Sequence, residues 1–155
     1  MKHSSAVLLI VLLLARASFN SEAIAQQTDS IAAPQETRQE EARGVALEQN
    51  YPNPFNRDTR IPFVLGADLF EDGRSVVVTV RVYNVLHQLA AYPTAVDHPS
   101  SPGRRAYELR YDNPGRFEVY WNGTDRNGQQ VSSGIYFCII TANRSQDVRK
   151  MIVAR

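Results

Sequence analysis

The seventeen residues Trp121 to Phe137, WNGTDRNGQQVSSGIYF, constrain this chain more than any other stretch, because they join a strand end, a tight double turn and a strand start. Just upstream, Arg116 to Trp121 alternates Phe117, Val119 and Trp121 with Glu118 and Tyr120, the period of two of a strand with one buried face. Asn122-Gly123 and Asn127-Gly128 supply residues that tolerate positive φ, and Asp125 between them can bond the backbone locally. Gly134 then opens Ile135 to Ala142 (IYFCIITA), an almost wholly apolar run expected to be a central strand covered on both faces. A strand of that kind needs a second layer, which the flanking segments must supply.

Those segments read as strands too. In Ser75 to Val85, Val76, Val78, Val80 and Val82 fall on one face and Val77, Thr79, Arg81 and Tyr83 on the other. Asn84 to His87 is expected to turn into a partner around Gln88 to Tyr92, and Pro93 to Arg104 reads as a loop. Arg105 to Tyr111 (RAYELRY) alternates again, Asp112 to Gly115 turns, and Asp147 to Ala154 closes the chain as a last strand. Arg60 to Leu65 reads as a short strand that Pro62 restricts to an edge or a first-residue position. With no convincing helix, about seven short strands predict an all-β, immunoglobulin-like antiparallel β-sandwich over residues 45–155.

Before that domain the chain has a different character. Met1 to Ala25 is laid out as a secretory signal: Lys2 and His3, the apolar run Ala6 to Ala15, then Ala23-Ile24-Ala25, which predicts cleavage between Ala25 and Gln26. The apolar run is about half the roughly 20 residues that cross a bilayer, so no stable membrane span is expected. Residues 26–44 are polar and rich in Gln and Glu, and read as a disordered linker. In Asn50 to Phe55, two prolines push their predecessors to extended geometry, so this segment reads as a stiff entry pinned by Tyr51 and Phe55.

The formal net charge is +1, and loss of Lys2, Arg16 and Glu22 with the signal leaves about zero, so nothing draws the chain to nucleic acid. Cys138 is the only cysteine, which rules out an intramolecular disulfide, and its apolar neighbours predict a buried, inert thiol. Asn122, Asp125 and Asn127 could offer oxygens to calcium, but the loop lacks the later glutamate of a calcium-binding hand, and turn chemistry explains them. His87 and His98 stand apart in loops. With no nucleophile elbow, phosphate loop or paired carboxylates, no catalytic, metal or cofactor site is expected, and the chain reads as a non-enzyme.

Four motifs together resemble a known family. Tyr51, Pro52, Asn53, Pro54, Phe55 and Asn56 (YPNPFN), RVYNVLHQLA at Arg81 to Ala90, the stretch with Trp121, Gly123, Asp125, Gly128 and Tyr136, and the terminal RKMIVAR look like the C-terminal sorting domain of type IX secretion substrates. The pattern is also similar to the immunoglobulin-like domain of the flagellar hook-capping protein. Two positions depart from it: Arg57 stands where the family usually has proline, and His87 where it usually has glycine, a change that His tolerates better than most. The resemblance implies export to the periplasm, recognition of the folded domain by an outer-membrane secretion translocon, and release or attachment to surface lipopolysaccharide. Family members carry a sizeable cargo; here only the linker precedes the domain.

On that resemblance the recognition residues are those of the terminal strand, Lys150, Met151, Val153 and Arg155, with Gly134 shaping the strand beside it. An end strand bearing Lys150 and Arg155 offers unpaired backbone and positive charge for β-augmentation. The plainer reading makes Met151 and Val153 core. An alternative function is a structural or adhesive immunoglobulin-like module that assembles with surface or appendage proteins.

Overall fold

The alternating valines have one buried face in the computed structural model, which describes residues 43–155: Val76, Val78, Val80 and Val82 are each at most 1% exposed. The described residues form nine strands: β1 (Val45–Leu47), β2 (Thr59–Leu65), β3 (Val76–Asn84), β4 (Leu89–Ala91), β5 (Thr94–Ala95), β6 (Leu109–Tyr111), β7 (Gly115–Trp121), β8 (Gly134–Ala142) and β9 (Ser145–Val153). One sheet runs β1-β2-β7-β5; the other runs β4-β3-β8-β9 with β6 also on β3, and every pairing is antiparallel. The inner faces meet over a core that includes Trp121, Tyr111, Phe63, Ile61, Ile140 and Met151. This is the antiparallel β-sandwich expected, with nine strands rather than about seven. The additional β1 and β5 span three and two residues, too short to leave a periodic trace. The expected signal, including Ala23, Ala25 and Gln26, and the linker up to residue 42 lie outside the described residues.

Three expectations are corrected by the packing. Pro62 sits inside a strand flanked on both sides, not at an edge. Its carbonyl accepts from Glu48 N at 2.9 Å, so its donorless nitrogen faces the same side, just past the end of β1, and the ladder to β7 needs no hydrogen there. β8 is central but covered on one face only: Tyr136, Cys138, Ile140 and Ala142 are buried, while Phe137 and Ile139 are half-buried and Ile135 is exposed.

Third, Arg105 to Glu108 is not strand. Arg105 bridges to Thr94 of the first sheet, whereas Leu109 pairs with Val78 of the second, so the chain changes sheets between them and bends with Glu108 at φ +52°. The loop expected from Pro93 to Arg104 correspondingly contains β5. His98, read as a loop residue, is buried against Tyr111: its Nδ1 accepts from Ser100 N at 3.1 Å, leaving Nε2 to donate to the Arg110 carbonyl at 2.9 Å.

The outer edge of β1 is closed by side chains rather than by a strand. Val45 N donates to Ser145 Oγ at 2.9 Å, Leu47 N to Asp147 Oδ2 at 2.7 Å, and Arg149 Nε donates to the Leu47 carbonyl at 2.7 Å. All three side chains belong to β9, which ties the two sheets along one side. Gly44, placed in the linker by composition, is buried and donates its N–H to both carboxylate oxygens of Asp68 at 2.8 Å.

Candidate functional site

Segments distant in sequence converge at one end of the sandwich. There β2 begins, β7 ends, β8 begins and β9 ends, because Thr59 pairs with Trp121 and Gly134 with Val153. The Trp121 ring packs edge-on between Phe55 and Tyr136, with both centroids at 5.5 Å, and its indole N–H donates to the Thr124 carbonyl at 2.9 Å. The Tyr136 hydroxyl donates to Ser132 O at 3.0 Å, and burial raises its pKa above the ordinary phenol value. Asn122 Oδ1 accepts from Thr124 N and Oγ1, and Asp125 Oδ1 accepts from Asn127 N at 2.8 Å and Gln129 N at 2.9 Å. Asp125 therefore works as a turn residue, with Gly128 at φ +79° closing the loop by donating to the Asp125 carbonyl.

The entry segment is built against this end. Its Tyr51-Pro52 and Asn53-Pro54 peptides are cis. Thr59 Oγ1, buried, donates to Pro52 O at 2.9 Å and accepts from Asn50 Nδ2 at 2.9 Å, so the hydroxyl that follows Arg57 still anchors the turn. Phe55 is buried as expected. Tyr51 is not: it is half exposed, and its hydroxyl donates to Glu118, which also pairs with Arg60. That hydrogen bond, with smaller help from desolvation and the Glu118 charge, holds the Tyr51 pKa above the usual phenol value.

Arg155 joins the pieces. Its Nε donates to Asn56 O at 2.8 Å, Nη1 to Val131 O at 2.8 Å and Nη2 to Gly123 O at 3.0 Å. One guanidinium thus spans the YPNPFN segment, the Asn122-Gly123 turn and the run before Gly134. Gly123, at φ +67°, is required by that approach: a Cβ there would lie 2.6 Å from the Arg57 carbonyl and 2.7 Å from Arg155 Nη2. Gly134 differs, since its φ of +153° favours glycine while the space around it is open.

The terminal strand is therefore split by role. Met151 and Val153 are core, at 0% and 2% exposure, and Lys150 is exposed. From Ile152 to Ala154 the outer backbone edge is not free, contrary to the basis for β-augmentation there: Phe55 N donates to Ile152 O at 3.0 Å, Ala154 N to Phe55 O at 2.8 Å, and Ile152 N to Asn53 Oδ1 at 2.9 Å. Nothing in the sequence signals this parallel bridge between Phe55 and Val153, because the partners lie almost a hundred residues apart. The fourth motif reaches the same end of its sheet, since Asn84 pairs with Tyr136. Asn84 Oδ1 accepts from Leu86 N and Gln88 N, and His87 stands at φ +56°, the conformation that the turn demands of it.

Cys138 is fully buried, and its thiol is held well above its ordinary value by burial, with Asp147 adding to the effect. Among the described residues no three His, Cys, Asp or Glu side chains are grouped as metal ligands, and no helix is long and apolar enough to cross a membrane.

No family model matches the chain, and no curated protein matches it significantly. Among solved structures, dimeric latent PorU from Porphyromonas gingivalis aligns at 20% identity and a TM-score of 0.42, over 74% of this chain and 10% of PorU. PorZ, an essential bacterial surface component of the type-IX secretion system of the same organism, aligns at 19% identity and a TM-score of 0.40, over 72% of this chain and 12% of PorZ.

Proposed function

We propose that the sandwich is a type IX secretion sorting and cell-surface attachment module, read by an outer-membrane translocon as a folded, non-enzymatic unit. The observation that carries this reading is the convergence of all four motifs on one end, where the guanidinium of Arg155, in the terminal motif, holds two of the others. Motifs that served only local turns would not need a shared anchor; a surface recognised as a whole does. Because the end of β9, from Ile152 to Ala154, is occupied by the chain's own Asn53 and Phe55, recognition at this end runs through side chains and turn backbone rather than through an added strand.

Deleting Lys150 to Arg155 would remove Met151 and Val153 from the core, so the test uses point variants. Intact masses are measured in cell-surface, periplasmic and medium fractions for wild type, Arg155→Ala and Lys150→Glu, with circular dichroism as the folding check. The wild type is expected at the surface or in the medium, and folded Arg155→Ala is expected to stay in the periplasm. If all three localise alike, processed only after Ala25, the sorting reading fails and a structural or adhesive module takes its place.

A further inference from the structure

Seven large apolar side chains are exposed among the described residues, and four of them, Val85, Leu86, Ile135 and Val148, belong to the outer face of the second sheet or the turn at its end. Strand register sets them in rows. Ile135 pairs with Ile152; Tyr83, Phe137 and Lys150 line up across three strands; Arg81, Ile139 and Val148 form the next row. Val85 leaves β3 one residue past the Asn84–Tyr136 pair, beside Ile135, and the Asn84 side chain fixes the turn that projects Leu86, 72% exposed. The sheet thus offers a continuous apolar strip that nothing in the described chain covers, and strips of this kind mark interaction sites.

The charges along the strip have one sign. Arg81 and Lys150 flank Phe137 and Ile139, and these three rows carry no carboxylate. Two acids border the strip without joining its rows: Asp147, whose Oδ1 accepts from Val148 N at 2.7 Å while its Oδ2 is tied to Leu47 N, and Glu108, hydrogen-bonded to Tyr107. Two cations fit the carboxylate rim of a protein. They are too few for an anionic bilayer, where each cation adds only about 1 kcal/mol.

We infer that this face, from Leu86 and Ile135 to Val148, docks on a protein partner that presents an apolar patch bordered by carboxylates, and, resting on the sorting reading, that this partner is the outer-membrane translocon. The hydrophobic centre supplies affinity and the two cations fix orientation and on-rate.

The test measures binding of the purified chain to detergent-solubilised type IX translocon by interferometry. Leu86→Asp and Ile135→Asp are each expected to weaken binding by on the order of tenfold or more, and Lys150→Glu to weaken it several-fold and flatten its salt dependence. Val96→Asp, on the other sheet, is expected to leave binding unchanged. If the wild type binds and the Asp variants bind equally well, the docking face is wrong and the sorting reading stands. If the wild type does not bind, both fall. Two further arms use vesicles of phosphatidylglycerol and phosphatidylcholine, and sedimentation equilibrium. Vesicle binding or dimerisation lost in the same variants would replace the protein partner with a lipid surface or a second copy of this chain.

Discussion

Replacing Gly123 by alanine tests the anchored end most directly, with Gly128→Ala as its control. Both glycines lie in the left-handed region, at φ +67° and +79°, so each alanine is expected to cost about 1–2 kcal/mol from backbone strain alone. At Gly128 nothing lies within 4 Å of the added Cβ, and the cost stops there. At Gly123 the Cβ meets the Arg57 carbonyl at 2.6 Å and Arg155 Nη2 at 2.7 Å, so the turn or the guanidinium must move. The Gly123 carbonyl accepts from both Val131 N and Arg155, and loss of these hydrogen bonds adds about 1 kcal/mol each. The expected total is about 3–4 kcal/mol, roughly 2 more than the control. In urea, monitored by Trp121 fluorescence, that difference separates the midpoints by about 1 M at a slope of about 2 kcal/mol/M. Adding Arg155→Ala to each glycine variant completes the test, because the pair at Gly123 is expected to be non-additive and the pair at Gly128 additive. Equal midpoints for the two glycine variants would refute the argument that Arg155 and Arg57 close on Gly123.

Alkaline pH is expected to destabilise the fold. Burial raises the Cys138 and Tyr111 pKa values above their ordinary 9.0 and 10.0, so the unfolded chain releases these protons first and the folded chain keeps them. Stability from these groups is complete below pH 9 and falls as pH rises past each ordinary value, by about 1.4 kcal/mol per pH unit for each group. Denaturation of Cys138→Ala and Tyr111→Phe across pH 8 to 11 should show flatter slopes, and unchanged slopes would refute the burial argument. The amides of Phe55, Ile152 and Ala154 are expected to exchange slowly despite lying along a sheet edge, with Asn53→Ala speeding exchange at Ile152 alone; rapid exchange at all three in the wild type would show an open edge. His87→Gly relieves a left-handed side chain and is expected to stabilise the chain by up to about 1 kcal/mol, whereas a loss of stability would mean that the imidazole itself holds the turn.

Where most of the described chain is extended, and which side chains face inward, is legible in the residue pattern. Period-two alternation in β3 and β7 and the apolar run of β8 mark those strands, since a pleated strand with one wet face must alternate. Turn chemistry was equally local: Asp125 bonds backbone two and four residues on, and Asn84 does the same for its own turn, so both are legible within a few residues. How those pieces meet is a property of the folded chain alone. The alternation of Arg105 to Glu108 resembles a strand, but the chain must leave one sheet for the other there, and no local signal records that. Pro62 sits mid-sheet because β1 stops one residue short of it, a fact about a neighbour rather than about proline. The edge of β9 looked free because its cover, Asn53 to Phe55, and its anchor, the carbonyls around Arg155, come from segments far away in sequence. Backbone hydrogen bonds across such separations depend on how the sheets close, and only the folded chain specifies that closure.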